Sequence, residues 1–198
     1  MKSLLLTAVA GALFVSGAAF AQPPAGVAGP AAASGPNVKT VGDWMVRCFP
    51  VQSPSPCDMF QEQDSEANHQ RIVSLSLAYV PGVDRHALQI SVPLDIAIQK
   101  GMTIQTNSYT SPVLKYRRCD RNGCYVELPV DSALVEALNK SGPDAKINIV
   151  ADSGKSYGIK FSLKGFSAAH DDMVAQARAK AKAIAKPDDA APAPAATP

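Results

Sequence analysis

The residues best equipped for chemistry are four cysteines, Cys48, Cys57, Cys119 and Cys124, and three histidines, His69, His86 and His170. Thiolates and imidazoles bind zinc, exchange electrons and attack carbonyls, so their spacing comes first. Zinc ligands come in close pairs, which Cys119 and Cys124 resemble and Cys48 and Cys57 do not. A redox pair would be Cys-x-x-Cys, and neither pair has that form. No histidine stands at ligand spacing to another histidine or to a cysteine, so all three read as loop or surface residues. Ser74 and Ser76 lack the Gly-x-Ser-x-Gly setting of an activated nucleophile and read as one face of a strand. There is no glycine-rich phosphate loop and no standout pair of carboxylates. The local motifs therefore point to no catalytic residue, no metal and no cofactor.

The N-terminus decides what the cysteines do. Lys2 gives a short positive start, Leu4 to Val15 an apolar run, and Ala19-Phe20-Ala21 a small-x-small cleavage site. Residues 1–21 thus read as a signal peptide cut before Gln22. The run is shorter than the about 20 apolar residues of a membrane span, and no cysteine follows it as a lipoprotein would need. An even set of cysteines in an exported chain favours disulfides. Three connectivities are open. Local pairs are preferred, because the turn signal Asn122-Gly123 would set Cys119 opposite Cys124.

Export leaves a mature chain of nearly balanced charge, since the formal +2 falls to +1 when Lys2 is removed. That balance argues against nucleic acid as a partner. Two basic features remain. Lys115, Arg117, Arg118 and Arg121 cluster around the hairpin signal, as a binding surface or a charged edge strand. Arg178, Lys180, Lys182 and Lys186 lie on a helical segment whose apolar face is mostly alanine, too small for strong membrane insertion.

The elements that must position these residues are mostly strands. Val73, Leu75, Leu77 and Tyr79 alternate with Ser74, Ser76 and Ala78, the period of a half-buried strand. Leu88, Ile90 and Val92 repeat the pattern, as do Leu94, Ile96 and Ile98, and Tyr157 to Leu163. Strands are also predicted over Trp44–Cys48, Cys57–Gln63, Val113–Cys119, Cys124–Leu128 and Ile147–Val150. One short helix interrupts them, with Asp131 as N-cap, Leu134, Val135 and Leu138 as its apolar face, and Gly142-Pro143 as its stop. Many short strands separated by turns predict an all-β sandwich or barrel. Residues 22–40 read as a disordered Pro/Ala/Gly linker and 41–175 as the β domain. Residues 176–186 read as the basic Ala/Lys end of a C-terminal helix, and 187–198 as a disordered Ala/Pro tail.

Three groups of residues, in this order and spacing, resemble the invasion-associated locus B family. They are Gly42-Asp43-Trp44 with Cys48 and Cys57, Tyr116 to Gly123-Cys124, and Ser162-Leu163-Lys164-Gly165-Phe166. The resemblance covers roughly residues 41–175. It implies an immunoglobulin-like antiparallel β-sandwich in a bacterial periplasmic or secreted protein, with Cys48 paired to Cys57 and Cys119 to Cys124. It also implies a link to host-cell invasion, and it brings no catalytic residue. The expected function is an exported, non-enzymatic binding module for an envelope or host-surface component. The alternatives are a periplasmic envelope-maintenance protein that binds cell-wall or outer-membrane components, and a hydrolase with a site assembled across the sandwich.

Overall fold

Period-two alternation becomes two antiparallel sheets around one core. A computed structural model describes residues 35–185 of the chain. The signal peptide assigned to 1–21, most of the linker and the tail at 187–198 lie outside the described residues. The strands are β1 Asn37–Val41, β2 Trp44–Cys48, β3 Cys57–Asp64, β4 Arg71–Val80, β5 Arg85–Val92, β6 Thr103–Gln105, β7 Arg118–Asp120 and β8 Gly123–Val130. Helix α1 Ser132–Lys140, β9 Asp144–Val150, β10 Ser156–Ser162 and helix α2 Phe166–Ala185 follow. A seven-stranded sheet has the order β1-β2-β3-β4-β5-β8-β7, so its first five strands form a meander, and a three-stranded sheet has the order β10-β9-β6.

Register explains why this sequence makes that sheet. Val46 faces Met59, Met59 faces Leu77, Leu77 faces Leu88 and Leu88 faces Leu128, one apolar row across five strands. The adjacent row is Arg47, Asp58, Ala78, Ala87 and Pro129 on the opposite face. A slip of one residue would exchange the two faces, so burial itself fixes the pairing. Ile104, Ile147 and Phe161 of the small sheet, and Leu134, Val135 and Leu138 of α1, join the same core. Burying each of the larger side chains contributes about 1.5–3 kcal/mol. The fold is thus the expected antiparallel β-sandwich, with one short inserted helix and a C-terminal helix. In α1 the Asp131 carboxylate accepts the Leu134 N–H at 3.0 Å, the cap its sequence signals.

The two sheets are stitched by polar groups. The Gln61 side chain, 5% exposed, donates to the carbonyls of Asp43 (3.0 Å) and Ser162 (3.2 Å) and accepts the Ser162 N–H (3.0 Å). The Trp44 indole donates to the same Ser162 carbonyl at 3.1 Å. Beside them Gly42 and Gly165 have positive φ and pass so close that a Cβ on Gly42 would lie 2.4 Å from the Lys164 carbonyl oxygen. Only glycine fits that crossing.

Several boundaries differ from the sequence reading. Residues 37–40, assigned to the linker, belong to edge strand β1. All its side chains but Val41 are exposed, so the strand is held mainly by backbone pairing to β2 and leaves little apolar signal. Leu94 and Ile98 are about half exposed and belong to no strand; residues 98–100 make a 3-10 turn. Of the strand expected over 113–119, only Arg118–Asp120 pairs as β7. The domain does not stop at 175, because α2 is continuous and buries Phe166, Ala169, Met173 and Ala177 along one stripe. Its alanines let the helix lie close to β1–β4.

Replacing Gln61 by Leu keeps the volume but leaves the Ser162 N–H and Asp43 carbonyl without their partners. A polar group left unmet away from water costs about 1–3 kcal/mol, and these two are part-buried. Urea unfolding of Gln61→Leu should therefore show a loss of about 2 kcal/mol or more; a loss below about 0.5 kcal/mol, the scale of an ordinary surface change, would contradict the stitch.

Candidate functional site

Of the candidate binding residues, Arg117, Arg118 and Arg121 lie at the β7–β8 end of the large sheet, and Lys115 lies beside the 3-10 turn. Cys119 and Cys124 are register partners and form a disulfide with Cα atoms 4.0 Å apart. Cys48 and Cys57 do the same across β2 and β3, at 4.2 Å. The hairpin turns on Arg121 and Asn122, because Asp120 pairs with Gly123. Its centre is one residue earlier than the Asn-Gly signal implies. The Asp120 carboxylate closes the turn by accepting the Asn122 N–H at 2.8 Å. That hydrogen bond, with further ones from Arg118 and Tyr125, holds the Asp120 carboxyl below the usual range against the opposing effect of desolvation.

The four cations have different surroundings. Arg118 lies 3.8 Å above the Tyr125 ring and is bonded to Glu127 at 3.0 and 3.1 Å and to Asp120 at 2.6 Å. Arg117 is 3.4 Å from Glu127, but its side chain is 71% exposed. Arg121 is exposed at the tip. Lys115 is exposed beside the 3-10 turn, its ammonium 3.5 Å from the Gln99 carbonyl. Between them Tyr116 turns inward. Its hydroxyl has no partner, and burial pushes its pKa up to about 12. Four cations against two carboxylates leave the hairpin net positive, with Arg118 committed to its own fold and Arg117 and Arg121 outward.

Next to the hairpin is a trough of about 370 Å³ floored by Ser76, Ala78 and Ala87 and walled by Gln89, Arg117 and Glu127. Its far side repeats the hairpin's chemistry. Arg47 lies 3.8 Å above the Phe60 ring and donates to Asp58 at 2.9 Å, and Asp58 accepts the Ser76 hydroxyl at 2.6 Å. Ser76 is thus a structural partner on the polar face of β4. The basic run of α2 is likewise partly used internally. Arg178 donates to the Tyr79 hydroxyl at 2.8 and 3.0 Å, and Lys180 to the Phe49 carbonyl at 3.0 Å. Lys182 is exposed, and Lys186 lies outside the described residues.

The histidines depart most from their sequence reading. His86 on β5 and His170 on α2 meet with their Nε2 atoms 3.0 Å apart, and both are half-buried. Their separation of 84 residues hid the pairing from any motif. His69 is exposed in a turn, as a loop residue would be. Among the described residues, no three His, Cys, Asp or Glu side chains come together as a metal site.

A domain of two antiparallel sheets, stapled by two disulfides within strand pairs and offering shallow polar surfaces, is a disulfide-bearing β-sandwich. The family model for the Invasion associated locus B (IalB) protein matches residues 44–174, and the chain belongs to that family. Two curated relatives, invasion protein B homologs of Brucella abortus strain 2308 and of Brucella abortus biovar 1 strain 9-941, are each 31% identical over 138 residues. Those residues are 69% of this chain and 79% of theirs. The crystal structure of invasion associated protein B from Bartonella henselae shares the fold, with a TM-score of 0.62 and 20% identity, covering 71% of this chain and 97% of that one.

The histidine pair generates a pH prediction. Burial first, and the facing His170 second, lower the pKa of His86 below the ordinary 6.5, while Asp84 opposes them. Tyr79 borders His86 from β4, and Asp171 and Arg178 lie on α2; Asp131 shares the cavity beside His86. A histidine held neutral in the fold takes up its proton more readily when unfolded. Its stabilising effect is therefore full above about pH 6.5 and is lost as pH falls through the lowered folded value. Asp84 and Asp120 have lowered pKa values and titrate below this window. Melting temperature should fall between about pH 7.5 and 5.5, and His86→Asn should flatten that fall; an equal slope in the variant would contradict the assignment.

Proposed function

We propose that this protein is an exported, non-enzymatic binding module of the bacterial periplasm or exterior. In this reading the β7–β8 hairpin touches an anionic component of a host or envelope surface. The observation that carries it is the outward display of Arg117 and Arg121 on a hairpin stapled by Cys119–Cys124, beside an open trough. A rigid presentation lowers the entropy lost on binding, since the donors need not be ordered by the partner. Arginines also offer paired donors that match carboxylate and phosphate oxygens. The family membership and the two disulfides support an extracytoplasmic setting.

The binding-module reading is tested with the purified mature chain and envelope or host-membrane vesicles rich in anionic lipid or glycan. Binding should weaken as salt rises, because exposed charges are screened beyond about 8 Å at physiological ionic strength. Arg117→Ala with Arg121→Ala should weaken it about tenfold while leaving the melting temperature unchanged, as expected for exposed charges. Arg118→Ala should instead lower the melting temperature, because that side chain is tied to Tyr125, Glu127 and Asp120. Unaltered vesicle binding in the double variant would remove the hairpin from the account. Cell fractionation separates the two settings: surface or culture-medium protein favours host contact, and retention inside the outer membrane favours envelope maintenance.

A further inference from the structure

The outer face of the small sheet carries a feature with no structural use. Gln105 on β6 pairs with Lys146 on β9, and Lys146 pairs with Lys160 on β10, so three side chains form one cross-strand row. Two lysines directly opposite each other on one face destabilise a sheet. Among the described residues neither lysine makes an ion pair. The third member is a donor too. Asn148 donates to the Gln105 oxygen at 3.1 Å and to Thr103 at 3.3 Å, which leaves the Gln105 amide NH₂ for something else.

This row borders a cavity of about 440 Å³ that Asn107 and Asp144 also line, Asp144 standing two residues before Lys146 on the same face of β9. The Asn107 amide donates to the Gly142 carbonyl at 3.3 Å, so its oxygen remains available as an acceptor. Asp144 adds an exposed carboxylate. Two ammonium groups and an amide NH₂ form one set of lining groups, and an amide oxygen and a carboxylate form a second. The first set suits an oxyanion and the second suits hydroxyl donors.

The geometry points to a binding site, at the Gln105–Lys146–Lys160 row, for a sugar that carries a carboxylate or phosphate. The oxyanion bridges the two lysines and removes their repulsion, and Asn107 and Asp144 accept from the ring hydroxyls. The cavity is of the size that holds a small ligand, about 300–1,000 Å³. The site faces away from the hairpin, because each sheet turns its other face to the shared core, and it stands without the hairpin reading.

The test is a titration of the full mature chain, followed by backbone amide NMR, with four probes: glucuronate, glucose 6-phosphate, glucose and inorganic phosphate. Glucuronate and glucose 6-phosphate should perturb the amides of Gln105, Lys146 and Lys160 in a saturable way, with affinity in about the millimolar range. If both bind, the shared oxyanion chemistry is recognised; if only one binds, that probe identifies the source. Glucose should not saturate, and inorganic phosphate should bind more weakly than glucose 6-phosphate. Lys160→Met and Lys146→Met keep the apolar stems and remove the charge. Each should weaken binding about tenfold and raise the ligand-free melting temperature slightly, since a like-charge pair is relieved. The site is overturned if neither acidic sugar shifts these amides, if both lysine variants bind unchanged, or if phosphate alone binds as well as glucose 6-phosphate. A fall in the melting temperature of both ligand-free variants would also contradict it, by showing the lysines to be structural.

Discussion

Ser162 ends the last strand of the small sheet, and its backbone is held from the large sheet in both directions. Gln61 takes its N–H and shares its carbonyl with the Trp44 indole. The Ser162 hydroxyl continues the chain of bonds, donating to Asp43 at 2.7 Å and accepting the Lys164 N–H at 3.1 Å. Apolar contact alone would let two sheets slide, because hydrophobic attraction has no direction. These hydrogen bonds are directional, and those made by the buried Gln61 and Trp44 side chains are partly shielded from water, so they fix where one sheet sits on the other. Phe166, edge-on to Trp44 at 5.2 Å, then starts α2 at the point from which it covers β1–β4.

The same residues carry the family resemblance. Gly42-Asp43-Trp44 and Ser162-Leu163-Lys164-Gly165-Phe166 are distant in sequence but interlock through backbone bonds, glycine contacts and the Trp44–Phe166 pair. Their chemistry builds the scaffold. The outward faces, where the arginine hairpin and the lysine row stand, are set by other positions. That division explains why belonging to the family says much about architecture and little about what a given member binds.

Much of the fold was legible because its causes are local. Alternation in β4, β5 and β10, the Asp131 cap and the turn at Cys119–Cys124 each act within a few residues. What was missed has non-local or backbone causes. β1 is an exposed edge strand whose order comes from pairing with β2 and from α2 beside it. The alternation at Leu94, Ile96 and Ile98 imitates a strand, yet only Ile96 finds the core, through a single bridge to Ala151. His86 and His170 are brought together only when α2 docks. The basic hairpin was readable as composition, but the demotion of Arg118 from free cation to structural partner depends on Glu127 reaching across from β8. The Lys146–Lys160 row needed the register of β9 against β10, which no spacing along the chain announces.

Amide hydrogen exchange of the intact chain tests most directly whether the two sheets form one cooperative unit through Ser162. If the stitch is central, the Ser162 and Asp43 amides open only with global unfolding. They then share their free energy and denaturant dependence with interior β4 amides such as Leu77. Exchange of Ser162 together with β9 and β10 at a clearly lower free energy, while Leu77 stays protected, would contradict the account.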